Sequence, residues 1–172
     1  EVRLRTPSPP SERNRQVAVI GSSRCAPGSE LPGLAEDVGR GLAEAGVTIV
    51  CGAGGGVREA AARGAAAAGG RVIGIVPGES IAAANPYCTE VVASGIGHGR
   101  NLAVVASGEV VVAVGGEWGT LSEIGMARTI GRTVVALSSW ELSGHGEMEN
   151  SPGVVRAATP KEAVAAALAT LT

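Results

Sequence analysis

Val110-Val111-Val112-Ala113-Val114-Gly115-Gly116-Glu117-Trp118-Gly119-Thr120-Leu121-Ser122-Glu123 is the stretch that decides the fold. It opens on apolar, mostly β-branched residues, the composition of a strand covered on both faces. A glycine-rich turn follows, and Thr120-Leu121-Ser122-Glu123 then opens a helix. Such a turn brings free backbone N–H groups and the positive end of a helix dipole to one point, which suits a phosphate. This reading places Glu123 in the first helical turn, beside whatever the loop holds.

Outward from there, strand and helix alternate. Residues 16–21, 47–51, 71–76 and 89–93 read as strands before this stretch, and 133–137 and 154–157 after it. Helical spacing covers 34–45, 57–68, 97–107 and 120–130, and a last helix over 160–171 carries Pro160 in its first turn. Residues 22–33 read as a loop and 79–87 as irregular or one short helical piece. The alternation predicts an α/β fold, a Rossmann-like doubly wound parallel sheet of about six to seven strands with helices on both faces. Gly46, Gly69, Gly108 and Gly131 follow helices and read as C-caps at the amino edge of the sheet. Gly21, residues 52–56, Gly97, Gly99 and residues 115–119 follow strands and fall at the carboxyl edge. Open α/β sheets bind ligands at that edge, where strand order reverses.

Composition narrows the chemistry. Of the 172 residues, 1–15 read as a polar N-terminal tail and 16–172 as one nucleotide-binding domain. A net charge of −2 points to neither nucleic acid nor membrane as partner. No apolar run has membrane-spanning length, and the N-terminal residues lack the apolar core of a signal peptide. With no Phe, one Tyr (Tyr87) and two Trp (Trp118, Trp140), the core must be built from Val, Leu, Ile and Ala, and 27 glycines suggest tight helix–sheet packing. Asp37 is the only aspartate, which removes an Asp-rich magnesium site, and Lys161 is the only lysine available for a Schiff base. Cys25, Cys51 and Cys88 are odd in number and suit no zinc spacing, so they fit a cytoplasmic protein with reduced thiols. His98 and His145 lack companions for a triad or a metal site, and no metal is expected.

Familiar nucleotide motifs fail. Gly21-Ser22-Ser23-Arg24 lacks the dinucleotide glycines, and residues 52–57 carry Val57 where the third glycine belongs. A P-loop needs a Gly-Lys-Ser/Thr that this chain does not have.

Residues 115–123 resemble the Lonely Guy (LOG) family and its relatives, once labelled lysine decarboxylases. Their signature P-G-G-x-G-T-x-x-E is met from Gly115 to Glu123, with Val114 in place of the leading proline. A second family motif, M-x-E-R-K, falls at residues 97–101 and keeps only Arg100. Residues 52–56 take the place of the family's glycine-rich loop after the second strand, and the resemblance runs over residues 16–137. Val114, Gly97, Gly99 and Asn101, with Asn85-Pro86-Tyr87, look closer to a divergent branch that includes molybdenum-cofactor carrier proteins.

The resemblance implies two functions. LOG enzymes hydrolyse the N-glycosidic bond of nucleoside 5′-monophosphates to free base and ribose 5-phosphate. The carriers bind a phosphorylated pterin without transforming it. Hydrolysis is the first expectation here and carriage the alternative; both need a small phosphorylated ligand and no resident cofactor. Decarboxylation is not expected, because Lys161 lies outside every glycine loop. Gly115, Gly116, Gly119 and Thr120 would hold the phosphate. Glu123 would stabilise an oxocarbenium-like sugar or position water. Arg100 would orient Glu123 and the substrate by charged hydrogen bonds. Gly21, Ser22, Ser23, Arg24, Gly54, Gly55, Gly56 and Asn101 would meet the rest of the ligand.

Thr120-Leu121-Ser122-Glu123 has a second reading as a capping box, in which Glu123 only bonds back to the Thr120 N–H. Trp118 reads as a dimer contact or a loop plug ahead of a base-stacking ring. The low charge of helices 97–107 and 120–130 leads to the expectation of a homodimer burying part of both.

Overall fold

The computed structural model describes residues 15–142 and 153–171. The strands are β1 (Gln16–Gly21), β2 (Thr48–Cys51), β3 (Val72–Val76), β4 (Glu90–Ala93), β5 (Val110–Val114), β6 (Thr133–Leu137) and β7 (Val154–Ala157). The helices are α1 (Leu31–Glu44), α2 (Val57–Ala67), α3 (Arg100–Ser107), α4 (Trp118–Thr129) and α5 (Pro160–Thr170), with short 3₁₀ turns at Ile81–Ala83 and Gly97–Gly99. All seven strands pair in parallel, in the order β4-β3-β2-β1-β5-β6-β7. This is the expected doubly wound α/β sheet.

Its winding locates the ligand crevice. The chain steps outward from β1 through β2 and β3 to β4, then returns to lay β5 on the other side of β1. Strand order therefore reverses between β1 and β5, and the loops leaving their carboxyl ends must part there. Residues of α1, α2 and α5 cover one face, through Val38, Leu42, Val57 and Ala163. On the other face α3 and α4 pack through Val104, Val105, Ile124 and Ala127. All five residues of β5 are buried, as its unbroken apolar run requires.

The glycines do more than pack helix against sheet. A Cβ at Gly39 would overlap the Ala61 carbonyl of α2, and one at Gly64 would overlap the Glu36 carbonyl of α1. These two glycines let α1 and α2 touch backbone to backbone, and Arg63 Nη2 pairs with Glu36 at 2.8 Å across the seam.

Three expectations need correction. Helix α1 begins at Leu31 rather than 34, because Pro32 in its first turn pre-sets the helical φ. Gly108 is not a left-handed cap like Gly46, Gly69 and Gly131. Its φ is −80°, and its lack of a Cβ instead admits the Ala18 Cβ of β1, 2.7 Å from where that atom would stand. Arg15, read as the end of the tail, belongs to the sheet: its carbonyl accepts the Thr48 N–H at 2.9 Å and its guanidinium pairs with Glu109 at 2.7 Å. Residues 1–14 and His145 lie outside the described residues. No helix among the described residues is long and apolar enough to cross a membrane.

Candidate functional site

At the β1/β5 switch point lies a cleft of ≈ 280 Å³. Strand β1 supplies Gly21 and the following loop Ser23; α2 supplies Arg58. Arg100 and Asn101 come from the start of α3, with His98 just before it. Gly119, Thr120 and Glu123 come from α4, preceded by Glu117. Lys161 lies elsewhere, in an open groove of mixed charge between α1 and α5 with Asp37, Arg40 and Glu44.

The start of α4 differs from the sequence reading. Gly115 (φ +60°) and Gly116 (φ +134°) complete the turn early, so the helix begins at Trp118 with Glu117 as its N-cap residue. Its first helical bond runs from the Leu121 N–H to the Glu117 carbonyl at 3.0 Å. Thr120 therefore lies inside the helix and Glu123 in its second turn, not its first. The capping box does not form, since α4 has no side-chain cap bond. The amides of Trp118, Gly119 and Thr120 precede that first bond and have no helical acceptor. Two of those residues, Gly119 and Thr120, line the cleft. Thr120 itself is 3% exposed, packed against Gly116, where a Cβ would come within 2.7 Å of the Thr120 Cβ.

Glu123 is 7% exposed and faces the cleft. Burial raises its pKa to about 7, against the pull of the Arg100 and Arg58 charges. At neutral pH the site thus holds a carboxyl poised between its two forms. Arg100, 8% exposed, has its pKa lowered by burial and then by the neighbouring Arg58 charge.

Arg100 and Glu123 share the cleft without an ion pair or hydrogen bond between them, which corrects the expected orienting bond. Helix α3 packs over β1, β2 and β3, whereas α4 packs over β1, β5 and β6. The Arg100 guanidinium reaches over the end of β2, and a Cβ at Gly52 would overlap its Nη1. That Nη1 is buried without a hydrogen-bond partner, and so is Arg58 Nε.

The loop at residues 52–56 acts mainly beneath the cleft. Gly56 has φ +67°, and a Cβ there would overlap the Ser22 carbonyl, whose oxygen accepts the Val57 N–H at 3.0 Å. A Cβ at Gly54 would stand 3.0 Å from Arg58 Nη2. Gly55 faces Glu59 and the Ser23 carbonyl, each 3.7 Å from its absent Cβ. Asn85 braces the same loop, its Nδ2 donating to the Gly54 carbonyl at 3.2 Å and its N–H to the Ala53 carbonyl at 2.8 Å. These glycines seat Arg58 and the β1–α1 loop rather than lining the cleft. Gly115, Gly116 and Ser22 likewise act from behind it, and Arg24 is exposed outside it.

Arg58, Glu117 and His98 line the cleft without having been singled out as site residues. Arg58 had a legible signal: it sits in the first turn of α2, where a basic residue opposes the helix dipole. Beside the cleft, Trp118 is 76% exposed. Its ring lies 5.2 Å from that of Trp140, tilted by 38°, and Trp140 Nε1 donates to the Glu117 carbonyl at 3.2 Å.

Residues 14–164 match the SLOG cluster4 family. The chain belongs to that family. An uncharacterized protein from Archaeoglobus fulgidus is 38% identical over 122 residues, 71% of this chain and 79% of that relative. Among solved structures, the molybdenum cofactor binding protein of the phototrophic bacterium Rippkaea orientalis superposes with a TM-score of 0.81 at 26% identity, covering 94% of this chain and 99% of that one. The molybdenum cofactor carrier protein of Chlamydomonas reinhardtii gives 0.78 at 27% identity, covering 92% and 99%. This SLOG protein thus shares the whole fold of proteins that bind that cofactor, which supports a binding function.

Proposed function

We propose that this SLOG protein binds a phosphorylated heterocycle of the molybdenum-cofactor kind and carries it unchanged. The observation that carries the reading is the bare first turn of α4: Gly119 and Thr120 line the cleft, and their amides precede the first helical bond. A phosphate there would take those amides and the helix dipole together. The likeness to cofactor-binding proteins along the full chain supports carriage. A volume of ≈ 280 Å³ sits at the small end for ligand sites, so a pterin would extend beyond the cleft.

One observation favours hydrolysis as the second reading. A buried carboxyl with a pKa of about 7 is suited to general acid–base work at neutral pH. Titration with a phosphorylated pterin, alongside incubation with nucleoside monophosphates and chromatography for free base, separates the two. Carriage predicts phosphate-dependent pterin binding and no free base. Free base released with turnover would install hydrolysis, and no binding of either ligand would remove both readings.

The same reading includes residues 16–172 as one ligand-binding domain and a two-fold dimer through α3 and α4. Leu102 on α3 and Ile130, just past the end of α4, are 45% and 40% exposed, and a partner copy would cover them. Light scattering at micromolar concentration should give the dimer mass; a monomer would contradict it.

A further inference from the structure

The cleft holds more positive charge than one phosphate on α4 explains. Arg15, Arg40, Arg63, Arg71 and Arg156 each pair with a carboxylate. Among the described residues Arg58 and Arg100 have no such partner; each lines the cleft with a buried, unpartnered guanidinium nitrogen. They also stand close enough for the Arg58 charge to disfavour that of Arg100. Two like charges held together without a partner destabilise the empty protein, and an anion between them reverses the sign. Glu123 and Glu117 share the cleft, and neither makes an ion pair with Arg58 or Arg100.

The arginines and the α4 amides belong to different strands. Both guanidinia stand over the carboxyl end of β2, Arg100 above Gly52 and Arg58 above Gly54. The α4 first turn follows β5, and β1 lies between β2 and β5. Two strand spacings separate these ends by roughly 10 Å. The two donor sets therefore enter the one cleft from different loops.

We infer that Arg58 and Arg100 form a second anion subsite, over β2, for a tetrahedral oxyanion at the far end of the ligand whose phosphate sits on α4. The inference rests on reading the cleft as a ligand site, and it narrows the ligand to one that is anionic at both ends. The two guanidinium planes supply charge-assisted donors, and Gly52 and Gly54 keep the floor beneath them free of side chains.

The test uses the wild-type protein first. Crystals exposed to selenate and ribose 5-phosphate together should show the selenium anomalous peak within hydrogen-bond reach of Arg58 and Arg100, with the sugar phosphate on the Gly119 and Thr120 amides. In calorimetric titrations with sulfate, Arg58→Gln should weaken binding by about tenfold or more, the loss of a charge-assisted contact, with the melting temperature recorded as a folding control. Selenate found only on α4, or sulfate affinity unchanged within about twofold in Arg58→Gln, would overturn the second subsite. Selenate at the arginines with α4 empty would instead sink the phosphate assignment and leave this subsite standing.

Discussion

Two glycine-rich loops leave the strands on either side of β1, residues 52–56 after β2 and residues 115–116 after β5, and their glycines do different physical work. In the first loop the missing Cβ atoms make room. Arg100 crosses above Gly52, and the Ser22–Ser23 backbone presses against Gly56. In the second, left-handed backbone turns the chain so sharply that α4 starts at Trp118 with its first amides bare. A glycine run alone does not say which job it does. What a side chain would meet, and where the next helix begins, decides it.

The comparison can be broken by substitution. If the first loop is a packing device, Gly56→Ala should destabilise the protein more than any substitution in the second loop. Left-handed strain and overlap with the Ser22 carbonyl together should cost about 4 kcal/mol in chemical denaturation. A loss under about 1 kcal/mol would mean the loop gives way easily.

Glu123 sharpens the electrostatic side. Its pKa is raised from the ordinary 4.5 to about 7, so the folded state holds the proton more tightly than the unfolded chain. The resulting stability is complete below about pH 4.5 and gone above about pH 7. Glu123→Gln mimics the protonated form. It should be more stable than wild type at pH 8 by up to about 3 kcal/mol, with little difference at pH 4.5. Equal stability of the two proteins at both pH values would contradict the burial argument. Sulfate keeps its charge over this range, so its affinity for wild type should fall from pH 6 to pH 8, and the Gln variant should abolish that slope.

Gly116→Ala tests the second loop directly. With φ +134° and the Thr120 side chain 2.7 Å from the added carbon, it should cost about 2 kcal/mol of stability, less than Gly56→Ala. Its ribose 5-phosphate affinity should nevertheless drop by about tenfold or more, because the bare amides move with Thr120. Unchanged affinity in calorimetry would detach the turn from ligand binding. The smallest effect belongs to Trp118→Ala. With its ring 76% exposed, the stability change should stay under about 1 kcal/mol by thermal melt. A larger loss would make the Trp118–Trp140 pair a structural clamp on the α4 start.

Much of this architecture was legible because it rests on local pattern. Apolar runs such as residues 110–114 announce buried strands, and the glycines after strands mark the carboxyl edge. The α4 start was misplaced by two residues because Glu117-Trp118 reads as part of the glycine turn; only the φ values of Gly115 and Gly116 show the turn finishing before it. That Arg100 and Glu123 share one cleft was legible from the motifs that carry them; that no bond joins them was not. It depends on which strands α3 and α4 cross, and sequence spacing carries no such information. Gly108 resembled its fellow caps in position, but the approach of β1 determines it. Arg58 could have been found, as a basic residue at the positive end of a helix is an anomaly in need of an anion.

The bare first turn of α4 is the proposed seat of a ligand phosphate. Amide nuclear magnetic resonance, with ribose 5-phosphate titrated into the isotope-labelled protein, tests it most directly. The account predicts the largest saturable shifts at the amides of Trp118, Gly119 and Thr120, with smaller ones around Arg58 and Arg100. Largest shifts at the start of α5, or no saturable shift in α4, would contradict it.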